Sequence, residues 1–146
     1  MNLSKSFGYA LRGILYISLM DDENRKVQAD EIAENLSVPR HFLSKILKQV
    51  AKAGIIGSTR GKQGGFFITK TTLETPLINI VYLTEGSDHF NMCLLSLRKC
   101  NSNNPCPLHN KFDKYRKGIF DVYSQTTIGD LLKDNKPEFI KSIATQ

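Results

Sequence analysis

Apolar residues recur at helical spacing over residues 2–20, where Leu3, Phe7, Ala10, Leu11, Ile14 and Ile17, with Ser18, share one side and predict an amphipathic helix. "DDEN" at 21–24 ends it. In "QADEIAENLSV", Ala29, Ile32, Ala33 and Leu36 share a face, and Asp30 and Glu31 lie near the end where the helix dipole favours negative charge. "SVPR" at 37–40 reads as a turn, with Ser37 as a cap and Pro39 in the first turn of the next helix. That helix runs through "RHFLSKILKQVAKAG", with Phe42, Leu43, Ile46, Leu47 and Val50 as its buried stripe and Gly54 as its stop. "IIGSTRGKQGGFFIT" follows with an apolar pair, a polar Gly-rich loop and a second β-favouring run, which predicts a hairpin over residues 55–69.

"TPLINIVYL" at 75–83 predicts another helix, capped by Thr75, with Pro76 at its first position and Gly86 closing it. Residues 87–105 carry no regular pattern. Pro107 opens a long helix in which Leu108, Phe112, Tyr115, Ile119, Val122 and Tyr123 lie on one stripe, and "TTIGDLL" begins a short helix near Thr127. Two short helices joined by a tight turn and followed by a Gly-rich hairpin outline a winged helix-turn-helix. The expected fold class is mainly α with a small β wing: a winged helix-turn-helix plus a long C-terminal dimerisation helix. Residues 1–72 would form the reading head, and 73–106 a linker helix and cysteine loop. Residues 107–133 would hold the dimerisation helix and a short C-terminal helix, and 134–146 a tail. The stripe Leu108, Phe112, Tyr115, Ile119 and Val122 is the expected dimer interface, because one small domain cannot easily cover it.

Charge changes this picture. The net charge of +6 and pI near 9.3 permit polyanion binding without requiring it. In a winged helix-turn-helix the second helix enters the major groove, where base edges are distinguishable. Its exposed residues are Arg40, His41 and Ser44, then Lys45 and Lys48. Arg60 and Lys62 sit at the tip of the glycine-flanked wing, and Arg12 and Lys5 on the first helix are candidates for phosphate contact. A solvated basic face explains any one of these lysines equally well. Arg40, Arg60 and Lys62 together in this architecture point to duplex DNA. Lys5 and Arg12 interrupt the N-terminal apolar pattern, and no apolar run approaches the ~20 residues of a membrane span. Neither a signal peptide nor a membrane partner is expected, and the expected compartment is a reducing cytoplasm.

The remaining chemistry is concentrated in "CLLSLRKCNSNNPCPLH", residues 93–109, which holds all 3 cysteines with the spacing C-x6-C-x5-C-x2-H. An odd number of thiols cannot all close as internal disulfides, and in a reducing compartment clustered cysteines read as metal, cluster or redox chemistry. Asn101 to Pro105 supply a loop. Cys106 would sit where a helix begins, with Pro107 at its first position and His109 on the same face. The positive end of that helix would favour thiolate, with Arg98 and Lys99 adding to the field. Three readings stand: an iron–sulfur cluster on Cys93, Cys100, Cys106 and His109; thiol chemistry with no cofactor; and tetrahedral zinc. CCCH zinc fingers fold around their metal with little else, whereas this segment follows a complete winged-helix pattern. His41 and His89 stand outside any such constellation. Cys106 and His109 imitate a nucleophile and base, yet no orienting third group or oxyanion-hole signature accompanies them, so no enzyme is expected.

"YALRGILYIS", "IAENLSVPRHFLSKILKQVAKAGII", "STRGKQGGFFI" and the three-cysteine segment resemble the IscR/NsrR-type winged-helix regulators of the Rrf2 family, over roughly residues 1–133. The resemblance implies a homodimer held by the long C-terminal helix and bound to a palindromic operator. It also implies that many members sense iron–sulfur status, redox stress or nitric oxide through a cluster on three cysteines, while others carry no cluster. The first cysteine gap is one residue longer than in the iron–sulfur members it resembles. Some relatives complete the cluster with an acidic residue from the partner's first helix. Here that position is Gly8, and residues 1–20 hold no Asp, Glu or His. His109, at the position IscR-like members use, is left as the fourth ligand, and the set favours [2Fe-2S] over [4Fe-4S] by resemblance. The expected function is a redox- or iron–sulfur-sensing transcriptional repressor. The alternatives are a cluster-free regulator responding through thiols or a ligand, and a zinc-stabilised nucleic-acid adaptor.

Overall fold

A computed structural model describes residues 2–21, 25–93, 95 and 100–133. The tail beyond Lys133, the end of "DDEN", and Arg98 and Lys99 lie outside the described residues. The elements run α1 (Lys5–Leu19), α2 (Ala29–Leu36), α3 (Arg40–Lys52), β1 (Gly57–Thr59), β2 (Gly65–Phe67), α4 (Leu77–Glu85), a 3-10 turn (His89–Asn91), α5 (His109–Gln125) and α6 (Ile128–Lys133).

The apolar stripes of α1, α2 and α3 meet in one core of Ala10, Ile14, Ile17, Ile32, Leu36, Leu43, Leu47 and Val50. Gly13 permits the close crossing of α1 and α3, since a Cβ there would lie 2.9 Å from Leu47 Cδ2. β1 and β2 pair antiparallel, with Ser58 opposite Phe66. The hairpin is fastened to the start of α2: Val27 and Phe66 exchange two backbone hydrogen bonds of 2.8 Å, and Gln28 Nε2 donates to Lys62 O at 2.9 Å. A Cβ at Gly64 would meet Thr59 O at 2.3 Å, so the turn closes only over a residue without a side chain.

The C-terminal part folds back on the same body. Ile128 is fully buried, and its N–H donates to Thr75 O. Leu77 N–H donates to Thr126 O and Gly129 N–H to Leu73 O. Phe120 and Tyr123 of α5 pack on Phe90, with ring centroids 5.5 and 6.1 Å apart. Tyr123 also meets Phe7 of α1 edge-on at 5.7 Å. The opposite side of α5 is bare: Tyr115 is 67% and Val122 60% exposed, and Phe112 and Ile119 are exposed beside them. Among the described residues no helix is long and apolar enough to cross a membrane.

Several local expectations are corrected. Phe42 is 57% exposed, not core, because it lies about 100° around α3 from Leu43, outside the face that meets α1 and α2. Ser37 ends α2 in the left-handed conformation (φ 51°) and does not cap α3, whose N-cap is Pro39. Pro76 is likewise the N-cap of α4, while Thr75 Oγ1 donates back to Thr71 O. α5 starts at His109, two residues after Pro107, so Cys106 lies in the turn before the helix. Tyr123 belongs to the inward face of α5 and not to the exposed stripe.

Candidate metal centre and nucleic-acid interface

The exposed face of α3 and the wing enclose a groove. Arg40, Ser44 and Lys48 line its helical wall, and Arg60 and Lys62 line the wing wall. Helical spacing puts Arg40, Ser44 and Lys48 in one row, and the hairpin turn brings the two wing cations opposite them. His41 and Lys45 lie on the outer face of α3 with Gln49 and Lys52. Arg12 is not part of this wall; its Nε donates to Gly8 O, and its guanidinium lies 5.3 Å from the centroid of the Tyr9 ring.

Three participants escaped sequence reasoning. Lys52 continues the row of Lys45 and Lys48 and was legible from spacing alone. Gln28 carries the wing through its bond to Lys62 O. Asp30 forms an ion pair with Nε of Arg40, and both side chains are exposed. Nothing in the spacing of Asp30 and Arg40 announces that pair, because the turn between α2 and α3 creates it.

The cysteine segment converges. The sulfur atoms of Cys93, Cys100 and Cys106 all lie within 4.8 Å of one another. Cys93 and Cys100 are buried and Cys106 is half-buried. The Cys100 and Cys106 Sγ atoms are 3.3 Å apart, and His109 Nδ1 lies 3.1 Å from Cys100 Sγ. The loop closes by local bonds: Asn101 Oδ1 accepts from the N–H of Asn103 and Asn104, and Cys106 O accepts from His109 N–H at 2.9 Å. That last bond turns the chain so that His109, buried at the head of α5, faces the thiols.

The Cys106 backbone N–H does most to lower the Cys100 thiol, to about 6, helped by the His109, Cys106 and Cys93 side chains and opposed by burial. The hydrogen bond with Cys100 pushes the Cys106 thiol up. Three thiols converge at one point, and the imidazole of His109 stands beside one of them, Cys100. Thiolate and imidazole donors suit an iron–sulfur cluster or tetrahedral zinc, so the residues present fit either group.

A small wing beside a recognition-type helix and a three-cysteine centre against a long C-terminal helix define a winged-helix regulator. The chain belongs to the Rrf2 family, described as iron-dependent transcriptional regulators, whose model matches residues 3–134. It is 30% identical over 135 residues to the HTH-type transcriptional regulator NsrR of Geobacillus kaustophilus, covering 92% of this chain and 91% of that protein. Its fold is that of CymR, the global cysteine regulator of B. subtilis (TM-score 0.74, 18% identity, 93% of this chain and 99% of that one). It is also that of T. potens IscR (TM-score 0.68, 21% identity, 100% and 93%). The protein is therefore a transcriptional regulator.

Proposed function

We propose that this regulator is a homodimeric repressor that binds a palindromic DNA operator and whose affinity is set by an iron–sulfur cluster on Cys93, Cys100, Cys106 and His109. The observation that carries this reading is the convergence of three sulfur atoms within 4.8 Å, with the His109 ring 3.1 Å from one of them. When bound, such a cluster supplies a reversible one-electron couple and sensitivity to oxidants. Cys93 and Cys100 would hold it from the loop and shield it by their burial, and His109 would tie it to α5.

Occupancy of His109 is coupled to the reading head through packed rings. α5 carries Phe120 and Tyr123, Tyr123 meets Phe7 of α1, and α1 crosses α3 at Gly13. Freeing His109 would let α5 shift and alter how two heads are spaced, and two spacings bind one operator unequally. The exposed stripe Phe112, Tyr115, Ile119 and Val122 supports the dimer.

Anaerobic purification tests the cofactor. A brown protein with bound iron and acid-labile sulfide is expected; a colourless protein containing zinc overturns the cluster. A second reading, direct thiol sensing without a cofactor, is favoured by the 3.3 Å approach of Cys100 and Cys106. In that case aerobic protein would lack iron and show one internal disulfide by mass.

A further inference from the structure

We infer that Asp30 is a positioning residue for DNA reading: it holds Arg40 so that this side chain recognises a guanine and not a phosphate. The inference rests on the reading of the groove between α3 and the wing as the DNA interface. That groove is walled by the cations Arg40, Lys48, Lys52, Arg60 and Lys62, and Asp30 is the one carboxylate among its described lining residues.

A carboxylate in such a place weakens general attraction for the phosphate backbone, so its presence calls for a compensating role. Asp30 shares with Glu31 a favourable place in the first turn of α2, but that explains a negative charge there and not its pairing with Arg40. Asp30 and Arg40 have side chains 62% and 70% exposed, and pairs this exposed contribute little to folding. The neighbouring Glu31 takes the local structural role, bonding Arg25 at 2.6 Å and the Tyr16 hydroxyl at 3.1 Å. Asp30 points the other way, into the groove.

The geometry of the pair is specific. Asp30 accepts from Nε of Arg40, the donor at the side of the guanidinium. The two terminal Nη groups remain free of this contact. An arginine fixed by its Nε can still donate end-on and bidentately to O6 and N7 of guanine, but it loses the side-on mode. The neighbouring negative charge also opposes approach of Arg40 to a phosphate. Arg40 is the first residue of α3, where recognition helices contact base edges. Lys48, Lys52, Arg60 and Lys62 are left to neutralise the backbone. The groove thus separates one reading cation from four anchoring ones.

The experiment selects preferred duplexes from a random-sequence pool with the full chain. It then measures affinities of Asp30→Ala, Asp30→Asn, Arg40→Ala and the double variant Asp30→Ala/Arg40→Ala. The probes are the selected duplex, its single base-pair variants, and a random duplex, at several salt concentrations. Asp30→Ala should bind random duplex several-fold more tightly. It should lose about tenfold of its preference at the same G·C pair that Arg40→Ala affects, within the discrimination of one bidentate contact. Asp30→Asn, which keeps an acceptor without the charge, should retain part of that preference. In the double variant the Asp30 effect on that pair should vanish. A preference unchanged by Asp30→Ala, or lost at a pair Arg40 does not influence, overturns the inference while leaving the interface intact. If Arg40→Ala and an Arg60→Ala control both bind every probe as the parent does, the interface reading fails and the inference with it.

Discussion

His109 Nδ1 lies 3.1 Å from Cys100 Sγ, so the first residue of α5 reaches back nine positions to a thiol of the loop before it. One imidazole joins the cysteine centre to α5, the longest helix among the described residues. Cys→Ala at Cys93, Cys100 or Cys106 is expected to abolish cluster binding, since each removes one of three converging sulfurs. His109→Ala should leave a labile cluster with a shifted visible spectrum, and His109→Cys should restore a stable one. Iron and sulfide analysis with visible spectra checks this. A His109→Ala protein matching the parent in spectrum and cluster lifetime would remove His109 from the ligand set.

The bare face of α5 gives a second expectation. Ile119→Asp and Val122→Asp together should weaken self-association by on the order of 100-fold, because charges are costly in a packed helix seam. Light scattering over a concentration series would then find monomers. A dimer at low micromolar concentration would place the interface elsewhere.

Removing the cation of Arg60 should weaken binding to all duplexes alike and lower the salt slope by about 1, as expected for one lost phosphate contact. Gly64→Ala should act on the same wing by another route. Its Cβ would meet Thr59 O at 2.3 Å and force the turn open. About tenfold weaker DNA binding is expected, with the melting temperature of the helical core little changed. Equal affinity of Gly64→Ala and parent would mean that wing geometry does not matter to binding.

Asp130 supplies a pH expectation away from any site. Its carboxylate accepts from Lys133 Nζ at 2.6 Å and from the N–H and hydroxyl of Thr127, which hold it at about 2, below the ordinary 3.8. A carboxylate lowered on folding contributes stability above its unfolded value and loses it as pH falls towards the folded one. Asp130→Asn should therefore melt earlier than the parent at neutral pH. That gap should narrow between pH 4 and pH 2, as thermal melts would show. A gap that stays constant across this range would mean that the Asp130 charge does not stabilise α6.

The sequence made α1 to α4 and the wing legible because their apolar positions follow one period and face one core. It failed where a residue sits at the edge of its stripe. Phe42 is as apolar as Leu43 but one step around the helix, and only the crossing with α1 decides which is covered. α5 presents a harder case, since it has two apolar faces: Phe120 and Tyr123 pack inward while Tyr115 and Val122 stay bare. Periodicity does not say which face a helix keeps for its own domain. Cap positions slipped, by two residues from Ser37 to Pro39 and by one from Thr75 to Pro76, because the prolines serve as N-caps themselves. The cysteine grouping was visible in the sequence, but the approach of Cys93 to the other two depends on loop closure that spacing does not encode. The Asp30–Arg40 pair was invisible for the same reason.

α5 is also a lever. Its 17 residues from His109 to Gln125 form one uninterrupted rod with its pivot against the thiols. Such a rod is ~26 Å long, so a tilt of about 5° at the His109 end carries the far end by about 2 Å. Tyr123, near that far end, is wedged against Phe7 with ring centroids 5.7 Å apart. A close-packed contact of this kind cannot absorb a 2 Å displacement elastically; it either holds the rod still or repacks. Were a cluster at the thiols to move that pivot, a gradual change there would become an abrupt one at α1.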